Sequence, residues 1–127
     1  METHIYNIQI RVLIFREDGE FVAKALEMDL TGYGKTEGEA VEDLKKTVEA
    51  QISFASQMGD PDLLGFPAEA DFFTRWENAQ LKALHSQILG DKSVKVKAKA
   101  IFIQFSQEEI KALRSRTFNQ IPSLVCA

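Results

Sequence analysis

Apolar side chains at every second position mark the first element of the chain. In IYNIQIRVLIF (5–15), Tyr6, Ile8, Ile10, Val12 and Ile14 fall on one face, while Asn7, Gln9 and Arg11 fall on the other. A two-residue period rich in β-branched side chains predicts a half-buried strand. The segment REDGE follows, and its Asp18-Gly19 pair suits the left-handed backbone of a tight hairpin turn. FVAKAL (21–26) is the predicted return strand, and Leu30 and Tyr33 fall in a short third one. The expectation is an antiparallel meander.

At Thr36 the period changes. Thr36 and Glu39 form the T-x-x-E capping box, in which the hydroxyl satisfies an amide of the first helical turn and the glutamate reaches back toward the cap. Behind it Val41, Leu44, Val48, Ile52, Ala55 and Met58 recur at steps of three and four, drawing one apolar stripe. This predicts a helix over 37–58, stopped by Gly59, whose role is to cover the sheet. GDPDLLGFP (59–67) reads as a loop, with Pro67 placed in the opening turn of a second helix that ends at Gly90. Phe72, Phe73, Trp76, Leu84 and Ile88 are its expected apolar side.

Alternation returns in VKVKAKAIFIQF (94–105), a predicted long strand. Its lysines share a face with Ile101, Ile103 and Phe105, so one end should be wet and the other covered. Ser106 and Glu109 repeat the capping box ahead of a short helix over 107–116, and NQIPSLVCA reads as a loose or partner-bound tail. The fold class is therefore α+β. Three antiparallel strands are covered by one long helix, then come a second helix, a further long strand and a short C-terminal helix. At 127 residues this is a single domain, with no repeat and no linker long enough to divide it.

Composition narrows the class. A hydrophobic fraction of 45% and a charged fraction of 27% are those of a globular protein and not of a disordered one. No apolar run approaches the roughly 20 residues that span a bilayer, so no membrane association is expected. METHIYN lacks the pattern of a signal peptide, and the single Cys126 offers neither an internal disulfide nor a thiolate metal site. Both fit a reducing cytoplasm. Charge is uneven: residues 1–90 hold 8 Lys/Arg against 16 Asp/Glu, and residues 91–127 hold 7 against 3. That asymmetry suits either a nucleic-acid edge or attraction between halves or subunits.

Candidate chemistry is sparse. GKT (34–36) matches the end of a phosphate-binding P-loop, but the position of that motif's first glycine holds Asp29, which would repel a phosphate. The glycines around Tyr33 are read instead as allowing a bend and close packing of the tyrosine. Glu27, Asp29, Glu37, Glu39, Glu42 and Asp43 crowd this corner, and acid–base or metal chemistry would need them convergent in a cleft. Glu39, Glu42 and Asp43 fall on the solvent side of the predicted helix, leaving Asp29 as the one to inspect. His4 and His85 lie far apart with no ligand spacing, and no serine sits in a nucleophile elbow. No cofactor, metal or catalytic residue is expected. Lys95, Lys97 and Lys99, with Arg114 and Arg116, form the one basic set able to follow a phosphate backbone.

Residues 21–55, FVAKALEMDLTGYGKTEGEAVEDLKKTVEAQISFA, resemble the HicB-like antitoxin family. The resemblance rests on the DLTGYGKT corner after a hairpin, with Gly32, Gly34, Thr36, Glu39, Ala40 and Leu44 in register, and covers roughly the first half of the chain. It implies a partial ribonuclease-H-like fold without nuclease activity, in which these residues are architectural. It also implies neutralisation of a small ribonuclease toxin by binding, and in many members repression through a C-terminal DNA-binding module. Here residues 67–90 read as a helical insertion and 106–127 as an extension that completes no such module.

The expected function is non-enzymatic protein–protein binding by a homodimer or higher oligomer, antitoxin-like or as an orphan regulator. A small basic toxin-like protein is the expected partner, and Phe72, Phe73 and Trp76 are the expected interface. The alternative is a nucleic-acid-binding regulator using the basic C-terminal quarter. A third, an acid-dependent nuclease, would need the convergent carboxylates.

Overall fold

The Asp18-Gly19 pair makes the predicted hairpin, with φ of 51° and 80° in the left-handed region. It joins β1 (Ile8–Glu17) to β2 (Glu20–Ala25), paired from Glu17 opposite Glu20 back to Val12 opposite Ala25. The computed structural model of the chain describes residues 8–90 and 98–115. Strand β3 (Leu30–Gly34) continues the meander, and β4 (Ala98–Phe105) returns to pair antiparallel with β1, giving a four-stranded sheet in the order β3-β2-β1-β4. Between them lie α1 (Glu37–Met58), a short 3-10 turn (Pro61–Leu64) and α2 (Ala70–Leu89), and α3 (Gln107–Ser115) follows β4. The α+β expectation holds, with all four strands in one sheet.

Both capping boxes form. The Glu39 amide donates to Thr36 Oγ1 at 3.1 Å, while the Glu39 carboxylate accepts from the amide of Lys35, one residue before the cap, at 2.9 Å. At α3 the exchange is reciprocal: Ser106 Oγ accepts from the Glu109 amide and Glu109 Oε1 from the Ser106 amide, each at 3.1 Å. Helix α2 begins later than the sequence suggests. Pro67 lies outside its opening turn because the Ala68 amide is spent on the Leu26 carbonyl at 2.7 Å, stitching the loop to the sheet before the helix starts at Ala70. The predicted 94–97 portion of the last strand lies outside the described residues.

One expectation fails at β1. The strand was expected to be half-buried, yet Val12 and Leu13 are neighbours and neither has any exposed surface. Ile10, Val12 and Ile14 pack with Ala40, Leu44 and Val48 of α1, with Ile103 and Phe105 of β4 and with Leu113 of α3. Leu13, with Phe15 beside it, packs on the opposite face with Leu26, Trp76 and Ala79. The sheet is thus a middle layer between α1 with α3 on one side and α2 on the other. Leu13 and Phe15 already break the polar face in the sequence, and α2 is the helix that covers them. Leu44 and Val48 are fully buried, each contributing roughly 1.5–3 kcal/mol by removing apolar area from water.

The glycine corner serves a different purpose from the one expected. Tyr33 is 55% exposed, so it is not the group being packed. A Cβ on Gly32 would lie 2.4 Å from the Leu44 amide nitrogen and 2.5 Å from the Ala40 carbonyl oxygen; one on Gly34 would lie 2.5 Å from the Ala40 nitrogen. Neither glycine adopts a positive φ. They are present because the backbone of α1 rests directly on the backbone of β3. Ala40, fully buried, is the matching small residue on the helix.

Candidate interaction surface

Helix α2 is held on the sheet by aromatic rings and cations. Trp76 is 4% exposed, and its indole N–H donates to the Ile101 carbonyl at 3.2 Å. Its ring meets Phe102 edge-on at 5.1 Å between centroids. The Arg11 guanidinium lies 4.7 Å from the centre of the Phe73 ring and 5.7 Å from that of Trp76. Glu27 fixes that arginine by accepting from its backbone amide at 2.7 Å and from Nε at 2.6 Å. Lys24 stands over Phe72 at 4.7 Å and pairs with Asp29 at 2.6 Å, while Arg75 covers Phe15 at 4.7 Å. Such contacts contribute about 0.5–1 kcal/mol each where partly wet. Phe72, Phe73 and Trp76, expected as a protein interface, are therefore spent within the molecule. An aromatic row on one helix face seeks the nearest apolar surface, and the uncovered face of the sheet provides it.

The second half of α2 is different. Leu84 and Ile88 were expected on the same apolar side as Trp76, but they do not reach the sheet. Two rows run along this helix. Phe72, Trp76 and Ala79 face inward, whereas Leu81, Leu84 and Ile88 lie between a third and a half of a turn away. Their relative exposures are 51%, 48% and 69%, and the adjacent Leu89 reaches 77%. Steps of three and four put Leu81, Leu84 and Ile88 on one side, the spacing by which one helix packs on another. The sequence carried this signal, but merging the two rows into one hid it.

The remaining candidates stay apart. Asp29 is at φ 51° in a turn and paired with Lys24. Asp43 is on the solvent side as expected, and it also accepts from the Tyr33 amide at 2.9 Å. Among the described residues no group of three or more His, Cys, Asp and Glu is placed to hold a metal ion. No helix among them is long and apolar enough to cross a membrane. Lys99 pairs with Glu37 at the start of α1, at 2.8 Å. Arg114 lines a hollow with Ile8, opposite the far end of β4, whereas Lys99 sits opposite Ile14. Six strand residues separate those ends, about 20 Å, so the structure does not bring the two cations together. Lys95, Lys97, Arg116, His4 and Cys126 lie outside the described residues.

Two adjoining apolar hollows occupy the end of the molecule where α1, the 3-10 turn and β1 meet. One of about 380 Å³ is lined by Ile52, Ala55, Leu64 and Ile110, and one of about 300 Å³ by Ile10, Met28, Ile52 and Leu64. Ser56, Asp60 and Arg114 also border the first, and Gln9 and Glu27 the second. No protein-family model matches the chain, and no curated protein or solved structure matches it either.

Proposed function

We propose that this chain is a HicB-like protein that acts by binding another protein, in the antitoxin-like manner its first half suggests, and not by catalysis. The observation that carries this reading is the apolar stripe of Leu81, Leu84 and Ile88 on the solvent side of α2. Three large aliphatic side chains exposed along one side of a helix are the kind of patch that marks a protein contact. The glycine corner, capped helix and sheet provide a rigid platform for it. The insertion, which the family resemblance does not cover, thereby becomes the part of the chain that meets the partner.

The experiment is binding by the full chain before and after charge is placed in the stripe. Leu84→Asp with Ile88→Asp should leave the thermal unfolding curve nearly unchanged, since both side chains are exposed. It should abolish association, measured by light scattering for self-assembly and by calorimetry against a small basic protein encoded beside this chain. Wild-type protein that stays monomeric at high micromolar concentration and binds no such neighbour would overturn the reading.

A further inference from the structure

The structure assigns the outer edge of β4 a partner: we infer that a second copy of this chain adds its own β4 there, antiparallel, beneath the overhanging half of α2. This rests on the binding reading above and names one partner.

Among the described residues, the backbone geometry leaves that edge open. Leu26 donates to the Arg11 carbonyl at 2.9 Å, so the polar groups of Arg11 are directed toward β2. Alternate residues of a strand direct theirs to opposite sides, so Ile10, Val12 and Ile14 serve β4 and meet Ile103, Ile101 and Lys99 there. Ala98, Ala100, Phe102 and Gln104 therefore present their N–H and C=O groups outward. No strand among the described residues pairs with them. The other edge is blunted: β3 has five residues, two of them glycine, and its Tyr33 amide is taken by Asp43. By contrast β4 has eight residues without proline or glycine, and Phe102 beside its edge is 45% exposed. A long, apolar edge strand is a template for another strand.

Helix α2 extends over the place where that strand would lie. Phe72 sits against Lys24 and Phe15, and one turn later Trp76 sits against Ile101 and Phe102, so the helix crosses from β2 over β1 to β4. It then continues past Ala79, its last buried residue, to Leu89, roughly 15 Å further. Ala83, one turn past Ala79, still lines a hollow with the start of β4, so part of that length follows the strand and the rest runs on beyond it. Under it, between Ala79 and Ala83 on the helix and Ala98, Ala100 and Ile101 on β4, is an apolar hollow of about 240 Å³. It offers room for the side chains of an added strand.

Charge selects the occupant. Two copies related by a two-fold axis pair their edge strands antiparallel, so the start of one β4 lies beside the end of the other. The start carries the exposed Lys99; just beyond the end stands Glu108, also exposed. Each copy thus brings a cation to the other's anion, twice per dimer.

Light scattering of the full chain tests this through complementation. Wild type should be dimeric. Lys99→Glu and Glu108→Lys should each weaken the dimer roughly tenfold or more, and an equimolar mixture of the two should restore it, because the mixed pair recovers both contacts. Glu37→Gln, which removes only the partner of Lys99 within the same copy, should leave assembly unchanged; if it weakens the dimer as the others do, the effect of Lys99 is internal and the proposal fails. It fails equally if wild type is monomeric at high micromolar concentration, if either charge variant dimerises as wild type does, or if the mixture stays monomeric. These outcomes separate from the previous reading. A dimer indifferent to the edge variants but lost with Leu84→Asp and Ile88→Asp keeps the α2 stripe and discards the edge, and the reverse pattern discards the stripe alone.

Discussion

The two faces of the sheet are covered in opposite ways. On one face α1 lies so close that its backbone meets Gly32 and Gly34, and the contact is built from Ala40, Leu44, Val48 and the even-numbered residues of β1. On the other, α2 stands off on aromatic rings, held by the cations of Arg11, Lys24 and Arg75 with water at the margins. A backbone-to-backbone contact has no slack, since interiors pack densely and a single added carbon meets main chain. A ring-and-cation contact tolerates adjustment, because long side chains can re-aim. The difference teaches that the α1 face is the stiff one and the α2 face the adjustable one.

That contrast can be broken at its stiff side first. Gly32→Val should have the largest effect, costing more than about 4 kcal/mol or preventing folding, because the new carbons collide with the main chain of Leu44 and Ala40. Urea unfolding followed by circular dichroism measures it, and a variant within a kcal/mol or so of wild type would show that α1 is not seated as described. Trp76→Ala on the softer face should cost about 3 kcal/mol, at the low end for a buried aromatic, because Arg11 and Phe73 can settle into the space. If it costs more than Gly32→Val, the ranking of the two faces is wrong. Thr36→Ala removes one cap from α1 and should cost about 1 kcal/mol, read as a lowered midpoint in the same titration with an unchanged slope.

Much of the stiff side was legible in the chain. The hairpin turn at Asp18-Gly19, both capping boxes and the Leu44–Val48 stripe are local signals: each depends on residues within a few positions of one another. The softer side was legible only in part. Phe72, Phe73 and Trp76 read as apolar, yet nothing in their spacing said whether they would meet the chain's own sheet or a partner. Leu84 and Ile88 were placed with them although they belong to another row of the same helix. Met58, taken as the last residue of the α1 stripe, is 57% exposed.

What the sequence by itself determined is the set of pieces: four alternating or turn-bounded strands, two long helices and a short one, their caps and their stops. Hydrogen bonding and side-chain periodicity are short-ranged, so a reader of the chain can find them. What only the tertiary structure decided is which surfaces meet. The return of β4 to the side of β1, the laying of α2 across the face that Leu13 and Phe15 break, and the row of α2 that stays in water all depend on contacts between residues far apart in sequence. The glycines at 32 and 34 join the two levels. They are visible as letters at once, but their purpose appears only when a helix backbone is found resting against them.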